Sequence, residues 1–463
     1  MKLHPLDDAP LSGFHKRLAL YAAGGPFLDG YILSSIGVAL VAAGPELELS
    51  TVMKGLIGAG ALIGMLFGGA VSGFLTDRFG RQVMFTLDLG LIAAISVSQF
   101  FVTEGWMLLV ARLFLGACVA ADYPMASSLL TEFSPRKYRG QFLSGLVCMF
   151  FIGAAAAYFV GDAMLRHLGD DGWRWFLASA AVPALTLLLL RLGTPESPRW
   201  LLSRGRGSEA QQVLTRVYGA HVTVADIAQD AGPTSTWRDL LRRGYLGRLV
   251  YVVIFYTCSN IPVFAIYTFG PEILGAFGLE SISDNIGSAV LEFLFLIGVV
   301  TALLVINKTG RRRMVIWGSI LAGLALLVLG LAPEASPLVV VTAFTSFAIF
   351  NGGPQVLTWV YPNELFPTAI RATAVGIVTA LTRVGSAVGV FLVPLSLEHL
   401  GIGGTMLIAA AILIFGGVVS IIWAPETTGL SLDEASSIDN GAGGHRPAAQ
   451  TGQSPLAAKS DRY

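Results

Sequence analysis

Charge is what this sequence has least of. Only 13% of its 463 residues are Asp, Glu, Lys or Arg, where a soluble chain carries about a quarter. Half that share calls for an apolar solvent. Basic and acidic residues balance at 30 each, which leaves no electrostatic footprint for nucleic acid. Cysteine is scarce too. Cys118, Cys148 and Cys258 all fall inside apolar runs, so they read as small buried hydrophobes rather than disulfide or metal ligands. The six histidines lie outside or between those runs and form no HExxH-like cluster. No metal, no cofactor and no intramembrane enzyme are expected. Met1 to Arg17 is polar and mixed in charge, without the short apolar core of a signal peptide.

What is present is hydrophobic: 54% of the chain, with 54 glycines. A helix needs about 20 mainly apolar residues to cross roughly 30 Å of hydrocarbon. Qualifying runs lie at roughly 18–43, 51–75, 84–103, 105–131, 140–165 and 173–192, and again at roughly 248–270, 286–306, 314–332, 337–361, 370–396 and 402–424. The glycines fit this reading, because small residues let membrane helices approach closely. The expected architecture is an all-α membrane protein with twelve transmembrane helices in two six-helix bundles. It divides into an N-terminal bundle (1–192), a linker (193–247), a C-terminal bundle (248–431) and a disordered tail (432–463).

Lys16, Arg17, Arg78, Arg81, Arg136, Lys137, Arg139 and Arg311 to Arg313 gather on one side of the predicted spans. Glu46, Glu48, Glu104, Glu272, Glu280 and Glu334 mark the other. The positive-inside rule then puts both termini in the cytoplasm. In the linker, Ser208 followed by EAQQVLTRVYG reads as a capped amphipathic helix, and TWRDLLRRGYLGR reads as a second.

Three motif pairs recur at an offset near 230 residues. GFLTDRFGRQ (73–82) answers INKTGRRR (306–313). EFSPRKYRG (132–140) answers ELFPTAIRA (364–372), and PESPRWL (195–201) answers PETTGLS (425–431). The chain therefore reads as two homologous halves, the sequence sign of alternating-access transporters. Together with RxxxG from Arg112 to Gly116, these motifs resemble the sugar-porter branch of the major facilitator superfamily. GGPFLDGYIL, ADYP, FAIYTFGPEI and WVYPNELFP further resemble bacterial inner-membrane metabolite transport proteins. The likeness covers nearly the full chain except the tail. It implies a rocker with a substrate cavity between its halves, acting as a monomer in the inner membrane.

The resemblance also implies a latch on the cytoplasmic side. Its members are Asp77, Arg78, Gly80, Arg81, Glu132, Arg139 and Glu196 in the first half, and Arg311, Arg312, Glu364, Arg371 and Glu426 in the second. Topogenic charge and helix capping are the alternative account of the same residues, and the latch is preferred to it, since acids gain nothing from a positive-inside role.

Ionisable residues deep in a span cost roughly 2.5–3.5 kcal/mol on insertion scales, so Asp29, Arg112, Asp122, Glu292 and Arg383 stand out. In proton-coupled sugar porters a first-span aspartate pairs with the fourth-span arginine of RxxxG. That position here is Ile32, and Asp29 lies about one helical turn earlier. Asp29 is therefore expected to take the proton beside Arg112, with Asp122 as the alternative. Asp88 and Lys54 fall near membrane edges and are set aside.

Tyr256, Asn260, Tyr267, Asn351, Gln355, Thr358 and Trp359 sit in spans seven and ten, the cavity-lining helices of the family. They are expected, with Glu292 and Arg383, to line the site, although inter-helix bonding accounts for each as readily. Sugar porters carry a glutamine pair where this chain has Cys258 and Ser259. That departure opens the substrate class beyond hexoses to polyols and small organic acids.

The resulting expectation is proton-coupled uptake of a small polar metabolite. A proton-independent facilitator, a drug–proton antiporter and a nutrient sensor are the alternatives. The antiporter is disfavoured because GLVCMFFIGAAAAYFVGD (145–162) lacks a proline.

Overall fold

The computed structural model describes residues 10–219, 222–225, 245–278, 284–430 and residue 435. All regular structure among them is helical. The first half comprises α1 (Gly13–Glu46), α2 (Thr51–Phe79), α3 (Arg81–Ser98), α4 (Gly105–Phe133) and α5 (Arg136–Leu168), then α6 (Gly172–Ser179) and α7 (Ala181–Arg191). The last two form one apolar crossing, Gly172–Arg191, stepped at Ala180. Two short helices follow, α8 (Pro198–Ser203) and α9 (Gly207–Tyr218). The second half comprises α10 (Tyr245–Gly275), α11 (Asp284–Thr309), α12 (Arg311–Leu331), α13 (Pro337–Leu365) and α14 (Thr368–Trp423).

Eleven stretches among the described residues are long and apolar enough to cross a membrane. The last of them hides two. At 1.5 Å per residue, the 56 residues of α14 would reach about 84 Å, nearly three times a bilayer core. Gly401, at φ 66° and ψ −178°, breaks the helix between the eleventh and twelfth crossings. The expected twelve spans are therefore recovered.

Large apolar side chains also cover the outside: Phe67, Leu189, Leu304 and Ile422 are all exposed. A helix that is hydrophobic all round suits lipid on one flank and protein on the other.

Within the first half α1 packs on α5 and α2 on α4; within the second α10 and α12 pack on α14, and α11 on α13. The halves meet through α2 with α14, α5 with α11, and α1 with α10. Tyr158 Oη donates to Ile266 O at 3.1 Å and Tyr267 O at 3.0 Å. Phe151 stacks on Phe295 with centroids 6.0 Å apart, and Phe150 meets Tyr267 at 5.4 Å. Gly37 of α1 abuts the carbonyls of Tyr267 and Thr268. These contacts lie toward the face that carries the α1–α2 and α5–α6 turns and the Gly401 break. We call it the far face. The opposite, basic face carries the α2–α3 and α4–α5 turns and the start of α12.

One linker expectation changes. The amphipathic helix exists, but it starts at Gly207, and the N-cap position is Arg206 rather than Ser208. Arg206 there pairs with Glu209 at 2.6 Å. Burial of Leu214 and Ala210, and the bond from Tyr218 Oη to Phe133 O at 2.7 Å, hold α9 against α4. Most of TWRDLLRRGYLGR lies outside the described residues, and its last four, Tyr245 to Arg248, form the first turn of α10. The tail from 432 also lies outside them, apart from Ala435, whose carbonyl accepts from Arg248 Nη1 at 3.1 Å.

Candidate functional site

The recurrence of Pro-Glu-Ser/Thr has a local cause. Each third helix of a half starts directly after a glycine that no L side chain would replace without strain: Gly80 at φ 104° and Gly310 at φ 86°. Glycine offers no side-chain cap. Glu196 supplies one, accepting from the backbone N–H groups of Arg81 at 3.1 Å and Gln82 at 3.0 Å. Glu426 does the same for Arg311 at 2.9 Å and Arg312 at 3.3 Å. A carboxylate on a helix N-terminus satisfies orphan donors and complements the helix dipole, worth roughly 0.3–2 kcal/mol. Burial pushes the Glu426 carboxyl up, but the Thr428 hydroxyl and the Arg311, Thr428 and Arg312 N–H groups outweigh it and hold it below the usual range.

Around Glu426 the second half gathers other expected latch members. Arg311 Nη2 pairs with Glu364 Oε1 at 3.2 Å, and Thr427 Oγ1 donates to Glu364 Oε2 at 2.5 Å. Arg312 donates to Ile421 O at 2.9 Å, and Arg371 Nε to Phe366 O at 3.1 Å. Each of these bonds, like the Glu196 cap in the first half, stays within one half. Arg78 is exposed beside Phe79. The side chains of Asp77, Glu132 and Arg139 lie outside the described residues.

The buried charges of the first half arrange themselves differently from expectation. Arg112 does not pair with Asp29: Nη1 donates instead to the backbone carbonyl of Ile32 at 2.9 Å, the position where the porters carry their aspartate. Three residues along a helix turn a side chain by about 60° and shift it about 4.5 Å, enough to aim Asp29 elsewhere. Asp29 is 5% exposed with Oδ1 unpartnered among the described residues. It lies in the electrostatic field of Asp122, Asp88 and Arg191, and of Arg383 from the other half.

Asp122 has a full partner in Arg191, which the motifs do not reveal. Arg191 Nη1 bonds Asp122 Oδ1, and Nη2 reaches Oδ2 at 3.3 Å. The same guanidinium donates to Tyr21 O at 3.1 Å and Phe85 O at 3.2 Å, and its carbon sits 3.5 Å from the Phe85 ring centroid. Four helices, α1, α3, α4 and α7, converge on one arginine that is 0% exposed. Gly25 lets α1 close over the pair, since a Cβ there would collide with Asp122. Asp88, set aside as an edge residue, is only 2% exposed and shares this neighbourhood. The signal that could have found Arg191 is arithmetic. Asp122 within a span requires a cation, and Arg191 ends an apolar run.

In the second half, Tyr256 lies within hydrogen-bonding reach of Thr358 and Asn260, and in the field of Arg383. Gln355 Nε2 donates to Ser259 O at 3.1 Å. Asn351 is 0% exposed with both amide atoms unpartnered among the described residues. Arg383 lies over the Phe264 ring at 5.1 Å, with Nη1 unpartnered among the described residues. Trp359 is half-buried. Tyr267 and Glu292, also expected in the cavity, are drawn into the far-face seam beside Tyr158. A depression of about 440 Å³ on the far face is lined by Lys54 of α2, Glu272 of α10 and Glu398 of α14.

Residues 18–438 match the family model described as Sugar (and other) transporter. The chain is 42% identical to the "Putative metabolite transport protein YaaU" of Escherichia coli strain K12 over 93% of its own length and 97% of that protein. It is 37% identical to the "Inner membrane metabolite transport protein YgcS" of the same strain, over 94% and 96%. Among solved structures, the inward open xylose transporter XylE of E. coli, also described as a proton:xylose symporter, superposes with a TM-score of 0.79 at 23% identity. That match covers 91% of this chain and 99% of the other.

Proposed function

The chain belongs to the sugar (and other) transporter family, and from that premise we propose that it couples uptake of a small polar metabolite to protons. It is a transporter of the major facilitator fold, not an enzyme. The substrate class we propose is a sugar, polyol or small organic acid. The basic face lies in the cytoplasm with both termini, the monomer sits in the inner membrane, and the far-face seam closes the external side. This state faces inward.

The observation that carries the coupling is Asp29. An acid 5% exposed, with an unpartnered oxygen, lies in the field of Arg383 on the opposite half. Rocking changes the separation of those two charges, and a proton affinity that differs between two states is what coupling requires. Arg112 acts on α1 through the Ile32 carbonyl rather than through the acid. Tyr256, Asn260, Asn351, Gln355 and Trp359 supply the hydrogen bonds and ring faces of the substrate site. In the outward-facing state the two capped basic faces meet and the latch residues gain partners across the halves.

The test uses proteoliposomes and the substrate found by thermal-shift screening. Asp29→Asn should abolish proton-driven accumulation while substrate exchange persists. Loss of both activities, or of neither, would remove the coupling role from Asp29, and uptake that only equilibrates the substrate whether or not a proton gradient is imposed would leave a facilitator.

A further inference from the structure

Glu292 occupies the third turn of α11 and is 0% exposed, with neither carboxylate oxygen partnered among the described residues. Its surroundings belong to both halves. From α5 of the first half comes Tyr158, whose hydroxyl is committed to Ile266 O and Tyr267 O. Tyr267 faces it from α10. Phe293 and Phe295, its neighbours on α11, pack against Phe159 and Phe151 of α5, and Phe295 also meets Phe347 of α13. Among the described residues, the titratable groups in its field are Tyr158 and Tyr267, and neither is a cation. The nearest acid–base pair on α5, Asp162 with Arg166 at 2.8 Å, lies a turn or more further toward the far face.

An ionised carboxylate stripped of water, with no counter-charge and no donor, is strongly disfavoured; the neutral acid is not. Part of this cover comes from α5 of the other half, across the shut seam. Parting α5 from α10 and α11 would return Glu292 to water, where the charged form is stable. Closure of the seam and protonation of Glu292 must then favour each other.

We propose that Glu292 is a second proton site, distinct from Asp29, and that its proton is the condition for closing the external seam. The site binds a proton from the far-face side while the seam is open and holds it while the seam is shut. The closed state binds the proton more tightly, so lower pH favours it. For one proton, the open-to-closed ratio rises by up to tenfold per pH unit. The proposal rests on the alternating-access reading, but it needs neither a substrate nor a role for Asp29.

The test places spin labels at the exposed far-face positions Val52 and Leu400 of the full chain in lipid nanodiscs and measures their distance distribution from pH 5 to 9. The unmodified Glu292 protein should shift from short to long distances as pH rises. Because a proton on Asp29 would itself be linked to the motion, the variants are compared in an Asp29→Asn background: there the shift should persist with Glu292 in place, give way to the short distance at every pH in Glu292→Gln, and return in Glu292→Asp. A pH-driven shift that survives in Asp29→Asn/Glu292→Gln, or one distance at every pH in Asp29→Asn, would overturn the proposal. Loss of the shift in Asp29→Asn would move the switch to that residue. Failure of the uptake assay leaves this distance readout intact, so the two readings fail separately.

Discussion

Arg191 offers the sharpest test of how the first half is held together. Arg191→Met removes both bonds to Asp122, the bonds to Tyr21 O and Phe85 O, and the stacking on Phe85. Asp122, 1% exposed, would be left as an uncompensated buried charge. Removing one partner of a buried pair costs about 3–5 kcal/mol, whereas removing both can be nearly neutral. For a unit the size of one half, each kcal/mol moves the midpoint by about 2–4 °C. Arg191→Met should therefore lower the melting temperature in detergent by roughly 6–20 °C. Adding Asp122→Asn should restore most of that loss, because the orphaned charge disappears. Asp122→Asn alone should cost less than Arg191→Met, since the guanidinium keeps its backbone acceptors on α1 and α3. Melting curves for the two single variants and the double close the cycle. A double variant no more stable than Arg191→Met would mean that the pair is not the organising contact, and that Arg191 acts through its backbone bonds alone.

Two further outcomes follow from the backbone and the caps. Glu426 has a carboxyl held below its ordinary range, so its capping stability is complete above the unfolded glutamate range and fades as pH falls through the lowered value. Glu426→Gln should accordingly flatten the acid side of a plot of melting temperature against pH, and an unchanged acid limb would dismiss the cap as a stabilising contact. Gly401→Ala places a Cβ at φ 66°, which costs roughly 1–2 kcal/mol for an L residue. Its melting temperature should fall, and an equal or higher value would mean that the eleventh and twelfth crossings do not depend on that break.

The twelve crossings, the doubled motif set and the basic face were legible because each is local. Length and hydropathy decide whether a segment suits the bilayer core, and that decision involves no neighbour. The repeat could be read for the same reason: Gly80 and Gly310 serve the same turn, and Glu196 and Glu426 cap the same helix start. Even so, PES and PET suggested a latch before they showed themselves as caps, because a motif reveals that a carboxylate is wanted and not which donors it meets. The Ser208 cap failed at the same level. Ser is a good cap in isolation, but Arg206 occupies the N-cap position and pairs with Glu209.

Partnership among the buried charges was decided only in three dimensions. Asp29, Arg112 and Asp122 were identified as residues that a membrane does not tolerate without cause, and that inference needs composition alone. Which charge answers which depends on helix rotation and depth. A shift of three residues on α1 separates an Arg112 that meets a carboxylate from one that meets the Ile32 carbonyl. Arg191 ends a hydrophobic run in the sequence, and packing carries it to the meeting point of four helices. Glu292 already stood out as an ionisable residue within a span, but that it lies unpartnered beneath α5 of the other half was decided by packing. The sequence by itself determined how many helices cross and which residues are costly to bury. The tertiary structure decided what compensates each one, because compensation is a matter of ångströms between segments far apart in the chain.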